Sequence, residues 1–226
     1  MDRQSAAKKE TTILVGGGQG SGDEVRRLLA FGRRVIAADG GAALALAAGV
    51  MPDLVVGDFD SLSSDVAAEI PADRLVSRPD QGATDFQKAL AEAGQAPVLA
   101  AGFLGGRLDH QFAAFSALLG RRSPTVLVGG GEIVTLCPGK LALRLPIGTP
   151  LALYPLLSMR VQTSGLVWNV DGMLSPDGLI STSNRTAAAE ITLSAEAAGV
   201  LLILPEAALE LLYDALLVLR GSEATT

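Results

Sequence analysis

Carboxylate side chains recur in this sequence at short spacings that suit the binding of a metal ion. Asp39 opens an Asp-Gly-Gly string, and Asp58 and Asp60 stand two residues apart in a Gly-Asp-Phe-Asp-Ser string. Two carboxylates at that spacing repel each other unless a cation or water separates them. Mg²⁺ prefers oxygen ligands, carboxylates among them, so Asp58 and Asp60 are candidate magnesium ligands.

Further candidate residues follow later in the first half of the chain. Thr84 and Asp85 stand at a predicted helix start, and a Gly-Gly-Arg-Leu-Asp-His string contains Arg107, Asp109 and His110. Any one of them could equally be a turn, helix-cap or surface residue, because Asp in particular is common at such positions. As a group they combine carboxylates for a cation with a guanidinium for a phosphate.

The glycine-rich stretch at residues 16–22 has two interpretations. Its Gly-Gly-Gly-Gln-Gly-Ser-Gly string does not fit the G-x-G-x-x-G pattern of dinucleotide binding, and the sequence contains no G-x-x-x-x-G-K-[ST] string. Glycine backbone N–H groups can approach a phosphate closely, but the same residues can also form only a tight turn. The sequence leaves both interpretations open.

These residues need elements that bring them together, and the first half of the chain supplies short aliphatic runs that alternate with helical patterns. Such alternation is typical of crossover units and a parallel sheet. The carboxyl ends of parallel strands share one edge, where ligands bind, so we expect the candidate residues to lie along it. The predicted strands are 12–15, 34–38, 54–56, 75–77, 98–101 and 125–128.

Beyond Gly131 the pattern changes to short strands with closely spaced turns, which favours an antiparallel sandwich or barrel. Residues 206–220 are apolar all round and predict a last helix. We therefore predict two domains, 11–129 and 131–226. The predicted strands of the second domain are 132–136, 141–145, 151–156, 160–163, 179–182, 190–194 and 200–204.

Composition argues against several classes of function. The 226 residues carry 24 acidic and 18 basic side chains, a net charge of −6, so we expect no nucleic-acid partner. The single cysteine, Cys137, permits neither an internal disulfide nor a cysteine-built zinc site. The longest uncharged segment, 145–159, has 15 residues with three prolines, whereas a spanning helix needs about 20 apolar residues, so we expect no membrane insertion. The polar first ten residues lack a signal-peptide pattern, and we expect a cytoplasmic protein.

Taken together, six strings of the chain resemble the thiamine pyrophosphokinase family in their order and spacing. The resemblance covers about residues 12–205, and the strings are specific in combination rather than singly. They are Asp39-Gly40-Gly41, residues 52–61, Thr84-Asp85-Phe86, residues 105–110, residues 164–168 and residues 181–184.

The resemblance implies a fold class and an activity. The fold is α/β, with an N-terminal Rossmann-like domain on a parallel sheet followed by a C-terminal antiparallel β-sandwich, in a homodimer with a shared active site. The implied reaction is the Mg²⁺-dependent transfer of pyrophosphate from ATP to the hydroxyl of thiamine, which yields thiamine diphosphate and AMP. The first domain would bind the nucleotide and the second the thiamine.

The resemblance also implies roles for particular residues. Asp58, Asp60 and Asp85 would hold Mg²⁺ and, with Arg107, form the catalytic group. The nucleotide-binding residues would be Asp39, Gly40, Gly41, Arg107, Asp109 and His110. The thiamine-binding residues would be Trp168, Ser181, Ser183 and Asn184. Trp168 is the only tryptophan of the chain, and an indole face suits a cationic aromatic ring.

One position departs from the family pattern. The family usually has a Lys or Gln, an Asp, any residue and then Thr-Asp, where this chain has Gln81-Gly82-Ala83-Thr84-Asp85. Gly82 therefore stands in place of the expected Asp, and Asp80 is a possible substitute. A second hypothesis is therefore a catalytically impaired protein of the same fold that binds thiamine or thiamine diphosphate. A third is a phosphate or nucleotide-sugar transferase on a similar sheet, which would have no need of Trp168.

Overall fold

The computed structural model describes residues 10–80 and 82–223. Contacts within the chain divide it into two units, and the division falls between Gly130 and Gly131. The strands of the first unit pair in parallel, and those of the second unit pair antiparallel. This combination confirms the predicted α/β class with an antiparallel second part.

The first unit is built on six parallel strands, and they agree with the predicted strands to within one residue. They are β1 (Thr12–Val15), β2 (Arg34–Ala38), β3 (Leu54–Gly57), β4 (Leu75–Ser77), β5 (Val98–Ala101) and β6 (Thr125–Gly129). Their order is β6-β5-β1-β2-β3-β4. β1, β5 and β6 are buried along their whole length, as expected of parallel strands covered on both faces.

Helices connect these strands. They are α1 (Gly22–Leu28), α2 (Gly41–Ala47), α3 (Ser64–Glu69), α4 (Asp85–Ala93) and α5 (Leu108–Leu118). α4 begins with a capping box, in which Thr84 and Gln87 each accept a hydrogen bond from the other's backbone N–H. The sequence did not predict α3, because this helix buries no side chain and so lacks apolar periodicity.

The strand order reverses between β1 and β5, and glycines there let the two backbone segments come close together. The Gly16 N–H donates to the Ala101 carbonyl at 2.8 Å, and the Gly18 N–H donates to the Gly102 carbonyl at 3.0 Å. A Cβ on Gly102 would lie 2.3 Å from the Gly16 carbonyl oxygen. Gly16 and Gly18 of the glycine-rich stretch therefore allow close packing between two backbone segments.

The second unit has eight described strands, one more than predicted. They are β7 (Glu132–Leu136), β8 (Lys140–Arg144), β9 (Pro150–Pro155), β10 (Met159–Ser164), β11 (Asp171–Leu174), β12 (Ser181–Arg185), β13 (Glu190–Ala195) and β14 (Val200–Pro205). They pair in the orders β12-β9-β14-β7 and β11-β10-β13-β8. The sequence missed β11 because its Asp-Gly start is typical of a turn. It also placed β12 at 179–182, two residues early at its start and three residues early at its end.

Alternating burial builds the core of the second unit. Leu141 and Leu143 on β8 are buried beside Ile191 and Leu193 on β13, while the residues between them are mostly exposed. The predicted last helix is present as α6 (Leu209–Glu223), which lies against β8. Across residues 10–80 and 82–223, the helices all fall short of the length and hydropathy that a membrane crossing requires.

We predict that Gly102→Ala lowers the free energy of unfolding by roughly 3 kcal/mol or more, because Gly102 has φ of 80° and the new Cβ overlaps the Gly16 backbone. Gly49→Ala is the matched control, since Gly49 has φ of 76° but open space around its Cβ position. That control should lose only about 1 kcal/mol. Urea unfolding followed by circular dichroism measures both, and equal losses would contradict the close packing at β1 and β5.

Candidate active site

Three carboxylates converge at the carboxyl ends of β2 and β3. Asp39 directly follows β2, Asp58 directly follows β3, and Asp60 comes two residues later. One oxygen from each carboxylate lies within 4.8 Å of the other two. Asp39 is buried, Asp58 is half-buried and Asp60 is exposed, so the set opens toward solvent. We call Asp39, Asp58 and Asp60 the carboxylate group; its hard oxygen donors fit a cation such as Mg²⁺.

Asp39 is the buried member of the carboxylate group. Its Oδ2 accepts a hydrogen bond from the Ser61 N–H at 3.3 Å, while its buried Oδ1 has no hydrogen-bond partner among the described residues. Burial raises the pKa of Asp39 to about 6; the nearby Asp85 and Asp60 add to this rise, and the Ser61 N–H opposes it. A buried carboxylate oxygen with unused acceptor capacity is suited to ligate a cation.

A strained turn carries Asp58 and Asp60. Phe59 between them has φ of 67°, a left-handed conformation that costs about 1–2 kcal/mol for a residue with a side chain. The Phe59 side chain packs on the core around Ala37 and Val55, which offsets part of that cost. Asp58 Oδ1 accepts the Asp60 N–H at 3.3 Å and holds the turn closed. Backbone strain next to converging carboxylates is typical of a functional site.

Glycines allow the backbone to pass close to the carboxylate group. A Cβ on Gly57 would lie 2.8 Å from the Asp39 Cβ, so only glycine lets the end of β3 approach Asp39 this closely. A Cβ on Gly41 would lie 2.0 Å from the Val15 carbonyl oxygen, and one on Gly40 would lie 3.3 Å from the Ser61 carbonyl oxygen. Gly40 and Gly41, predicted to bind nucleotide, therefore have packing roles at this edge.

Asp85 lies outside the carboxylate group and pairs with Lys88. The Lys88 Nζ donates to Asp85 Oδ1 at 3.0 Å, and the lysine side chain is only 6% exposed. Asp85 is close enough to Asp39 to raise its pKa. The structure thus groups Asp58 and Asp60 with Asp39. The role of Asp85 as a magnesium ligand, which the resemblance implies, stays a prediction. The sequence missed Lys88 altogether, although its place three residues after Asp85 on a helix is an ion-pair spacing.

An aromatic contact joins the start of α4 to the loop after β5. The rings of Phe86 and Phe103 lie with centroids 4.5 Å apart at 49°. A Cβ on Gly16 would lie 2.7 Å from an atom of the Phe103 ring, so the glycine stretch after β1 packs against the same ring. Phe86 adjoins Asp85, and this packing therefore helps to fix the helix turn that carries Asp85.

Arg107 and Asp109 pair with each other. The Arg107 Nε and Nη2 donate to the two carboxylate oxygens of Asp109 at 3.2 and 2.6 Å, with both side chains well exposed. The pairing raises the pKa of Arg107 and lowers the pKa of Asp109. His110 is exposed in the first turn of α5. An exposed pair of this kind is worth about 0–1 kcal/mol, so Arg107 can exchange its partner readily.

Three of the four residues predicted to bind thiamine, Trp168, Ser181 and Asn184, are linked by hydrogen bonds in the second unit. Trp168 is 57% exposed, and Asn184 beside it is 2% exposed. The Asn184 Nδ2 donates to the Trp168 carbonyl at 2.7 Å and to Ser181 Oγ at 3.2 Å. Ser183 has φ of 58°, and the Arg185 Cζ lies over the Trp168 ring, 5.8 Å from its centroid.

The backbone of Gly82 is hydrogen-bonded to the side chain of Asp80. Asp80 Oδ1 accepts the Gly82 N–H at 2.8 Å, and a Cβ on Gly82 would lie 3.1 Å from that same oxygen. The Asp80 carboxylate therefore stands beside the direction in which a side chain at position 82 would project. Both residues are exposed.

Open α/β proteins bind their ligands at the carboxyl ends of the parallel strands, which is where this chain places carboxylates and glycines. Residues 25–128 match the family described as thiamin pyrophosphokinase, catalytic domain. The chain is 29% identical over 184 residues to thiamine pyrophosphokinase 1 of Arabidopsis thaliana, and 30% identical over 161 residues to thiamine pyrophosphokinase 3 of rice. Over these segments the chain is similar to the thiamine pyrophosphokinase family.

The matched lengths are partial for the plant relatives. The alignments cover 68% of this chain and 66% of the Arabidopsis protein, and 59% of this chain and 58% of the rice protein. Solved structures extend the likeness of fold. A thiamin pyrophosphokinase from Candida albicans matches with a TM-score of 0.74 and 17% identity, covering 87% of this chain and 90% of its own. A thiamin pyrophosphokinase family protein from Enterococcus faecalis matches with a TM-score of 0.71 and 23% identity, covering 87% of this chain and 99% of its own.

We predict that Asp39→Asn stabilises the metal-free protein at pH 7.5 and leaves its stability unchanged at pH 4. Because the pKa of Asp39 is raised to about 6, its ionisation destabilises the folded state as the pH rises from about 4 to about 6. The gain at pH 7.5 should be on the order of 3 kcal/mol at most. Asn tolerates the left-handed φ of 46° at this position.

Urea unfolding in a chelating buffer at the two pH values measures this effect. Asp73→Asn is the control, because Asp73 is an exposed carboxylate outside the site. Addition of Mg²⁺ should stabilise the unsubstituted protein more than the Asp39→Asn protein. A gain of the same size at pH 4 would show that the charge on Asp39 is not its cause.

Proposed function

We propose that the protein transfers a pyrophosphate group from ATP to the hydroxyl of thiamine, giving thiamine diphosphate and AMP, with Mg²⁺ as the cation. The observation that carries the proposal is the carboxylate group at the strand ends, within a segment that matches a thiamin pyrophosphokinase catalytic domain. The names of the plant relatives support thiamine as the acceptor and pyrophosphate as the group transferred. The first unit would bind the nucleotide and the second the thiamine.

Asp39, Asp58 and Asp60 would hold the cation, and Asp85 would lie beside it. Bound Mg²⁺ would neutralise negative charge on the phosphate oxygens. The chain adds positive charge of its own through the buried Lys88 ammonium and through Arg107, which can leave Asp109 for a phosphate. An acidic site needs these charges because four carboxylates would otherwise repel the triphosphate.

The chemistry joins the thiamine hydroxyl oxygen to the β-phosphorus of ATP. The bond from that phosphorus to the oxygen bridging it to the α-phosphate breaks, and AMP leaves. The hydroxyl proton passes to a carboxylate of the site and then to solvent. Positioning and electrostatic stabilisation supply most of the rate enhancement in such transfers. Trp168 would stack on the aromatic rings of thiamine, one of which is cationic.

A second candidate function is binding of thiamine or thiamine diphosphate without turnover. It is favoured by Gly82, which replaces an expected Asp, and by Asp80, whose carboxylate accepts the Gly82 backbone N–H. In this second candidate, the hydrogen bond between Asp80 and Gly82 is kept, but the site offers the cation one carboxylate fewer. Turnover distinguishes the two candidates.

We predict release of AMP, and not ADP, when the protein is incubated with ATP, Mg²⁺ and thiamine, with little release when thiamine or Mg²⁺ is omitted. Asp58→Asn and Asp60→Asn should each lower turnover by roughly 100-fold, because each removes a ligand of the cation. Asp73→Asn is the control and should keep full activity.

Chromatographic separation of the nucleotides measures the release. AMP formation that ignores thiamine would contradict the proposed acceptor. Binding of thiamine without AMP release would select the second candidate, and Gly82→Asp should then restore turnover if the missing carboxylate is the cause.

The proposal includes a homodimer with shared active sites and a cytoplasmic location, both of which stay predictions of the sequence. If each site takes the carboxylate group from one subunit and Trp168 from the other, two inactive variants complement each other. An equimolar mixture of Asp60→Asn and Trp168→Ala subunits, unfolded and refolded together, should regain about a quarter of full activity, since half the dimers are mixed and each has one intact site. Each variant refolded alone is the control, and no recovery in verified mixed dimers would contradict a shared site.

A further inference from the structure

The exposed indole of Trp168 projects from a segment that is held by β12. The Val167 N–H donates to the Arg185 carbonyl at 3.0 Å, and the Ala187 N–H donates to the Gly165 carbonyl at 2.7 Å. Leu166 and Thr186 form an antiparallel bridge between these two contacts. The segment from Gly165 therefore runs along the end of β12 as a short added strand.

At Trp168, the Asn184 side chain continues this ladder of backbone hydrogen bonds. The Trp168 N–H donates to Asn184 Oδ1 at 3.3 Å, and the Asn184 Nδ2 donates to the Trp168 carbonyl at 2.7 Å. The carboxamide thus presents one donor and one acceptor to Trp168, as the peptide groups of a neighbouring strand would. The backbone of β12 is irregular here: its register with β9 shifts between Ser181 and Asn184, and Ser183 is left-handed with φ of 58°.

The remaining bonds of Asn184 also go to the protein. Its Nδ2 donates to Ser181 Oγ at 3.2 Å, and its Oδ1 accepts the Arg185 N–H at 2.8 Å. A carboxamide has two donors and two acceptor positions, so these four bonds use its full capacity. At 2% exposure, Asn184 has neither surface nor free hydrogen-bonding capacity to offer a ligand.

We propose that Asn184 is the positioning residue of Trp168: it fixes the tryptophan backbone so that the indole presents its face to an aromatic cation. The inference rests on the proposed function, in which that cation is thiamine, and it assigns Asn184 an indirect part in thiamine binding. Because its backbone is fixed before binding, Trp168 has less conformational freedom to lose when a ligand binds, and this favours affinity. Arg185, placed over the same ring, packs on an indole that is already held.

Fluorescence tests the proposal directly, because Trp168 is the only tryptophan of the chain. In Asn184→Ala, we expect lower anisotropy and greater acrylamide quenching of Trp168 emission than in the unsubstituted protein. Asn169→Ala is the matched control. Asn169 Oδ1 accepts the Leu166 N–H at 3.0 Å, so this variant loses an amide from the same segment but leaves the Trp168 bonds in place. Unchanged anisotropy and quenching in Asn184→Ala would overturn the positioning role.

Thiamine titration, followed by quenching of the same emission without nucleotide, tests the consequence for binding. Loss of both bonds to Trp168 should weaken thiamine binding roughly tenfold in Asn184→Ala. In the turnover assay the KM for thiamine should rise by a similar factor, with a smaller change in kcat. A Kd equal to that of the unsubstituted protein would overturn the inference. If the unsubstituted protein neither turns over nor responds to thiamine, the proposed function fails, whereas the emission measurements still decide whether Asn184 positions Trp168.

Asn184→Asp separates positioning from folding, since it keeps the shape and both acceptor bonds. An ionised carboxylate cannot donate to the Trp168 carbonyl, but a protonated one can. At pH 8, far above the ordinary pKa of an Asp side chain, the Kd of the Asn184→Asp protein for thiamine should therefore exceed that of the unsubstituted protein. A Kd of the Asn184→Asp protein equal to that of the unsubstituted protein would contradict the part played by the donor bond to Trp168.

Discussion

Mutual repulsion among Asp39, Asp58 and Asp60 is the constraint on which the rest of the first unit depends. The three carboxylates lie within 4.8 Å of one another, in a place where one of them is nearly cut off from water. The fold must hold them together against that repulsion whenever no cation is bound. The cost is visible in the pKa of Asp39, which burial and its acidic neighbours raise to about 6.

Backbone geometry and packing oppose this repulsion. The left-handed conformations of Asp39 and Phe59 fix the turns at the ends of β2 and β3, and the Phe59 side chain packs on the core. Gly57 lets the two strand ends approach, because any Cβ there would collide with Asp39. The buried Lys88 adds one positive charge through Asp85. A site arranged in this way is preorganised, so a cation need not reorder the chain when it binds.

In the second unit, irregular backbone also stands beside a residue to which we assign function. There an irregular strand, with Ser183 in a left-handed conformation, buries Asn184 and exposes Trp168. An exposed indole on a free loop would sample many directions, and its ordering would reduce the affinity for any ligand. Because the Asn184 carboxamide holds the backbone of Trp168 on both sides, the large apolar face stays exposed and fixed. In both units, strained backbone therefore stands next to the residues to which we assign function.

The sequence by itself determined the local elements and the type of chemistry. Aliphatic runs and turn residues act over a few positions, so the six parallel strands were predicted to within one residue, and the strings around Asp58 and Trp168 carry the resemblance to thiamine pyrophosphokinases. β11 was missed because its start has the composition of a turn. Only the tertiary structure decided which side chains meet: that Asp39 joins Asp58 and Asp60, that Lys88 neutralises Asp85, and that Asn184 holds Trp168. Apart from the Asp85–Lys88 pair, whose significance depends on its burial, these contacts join residues 16 or more positions apart, and strand order and register, which no local string encodes, bring them together.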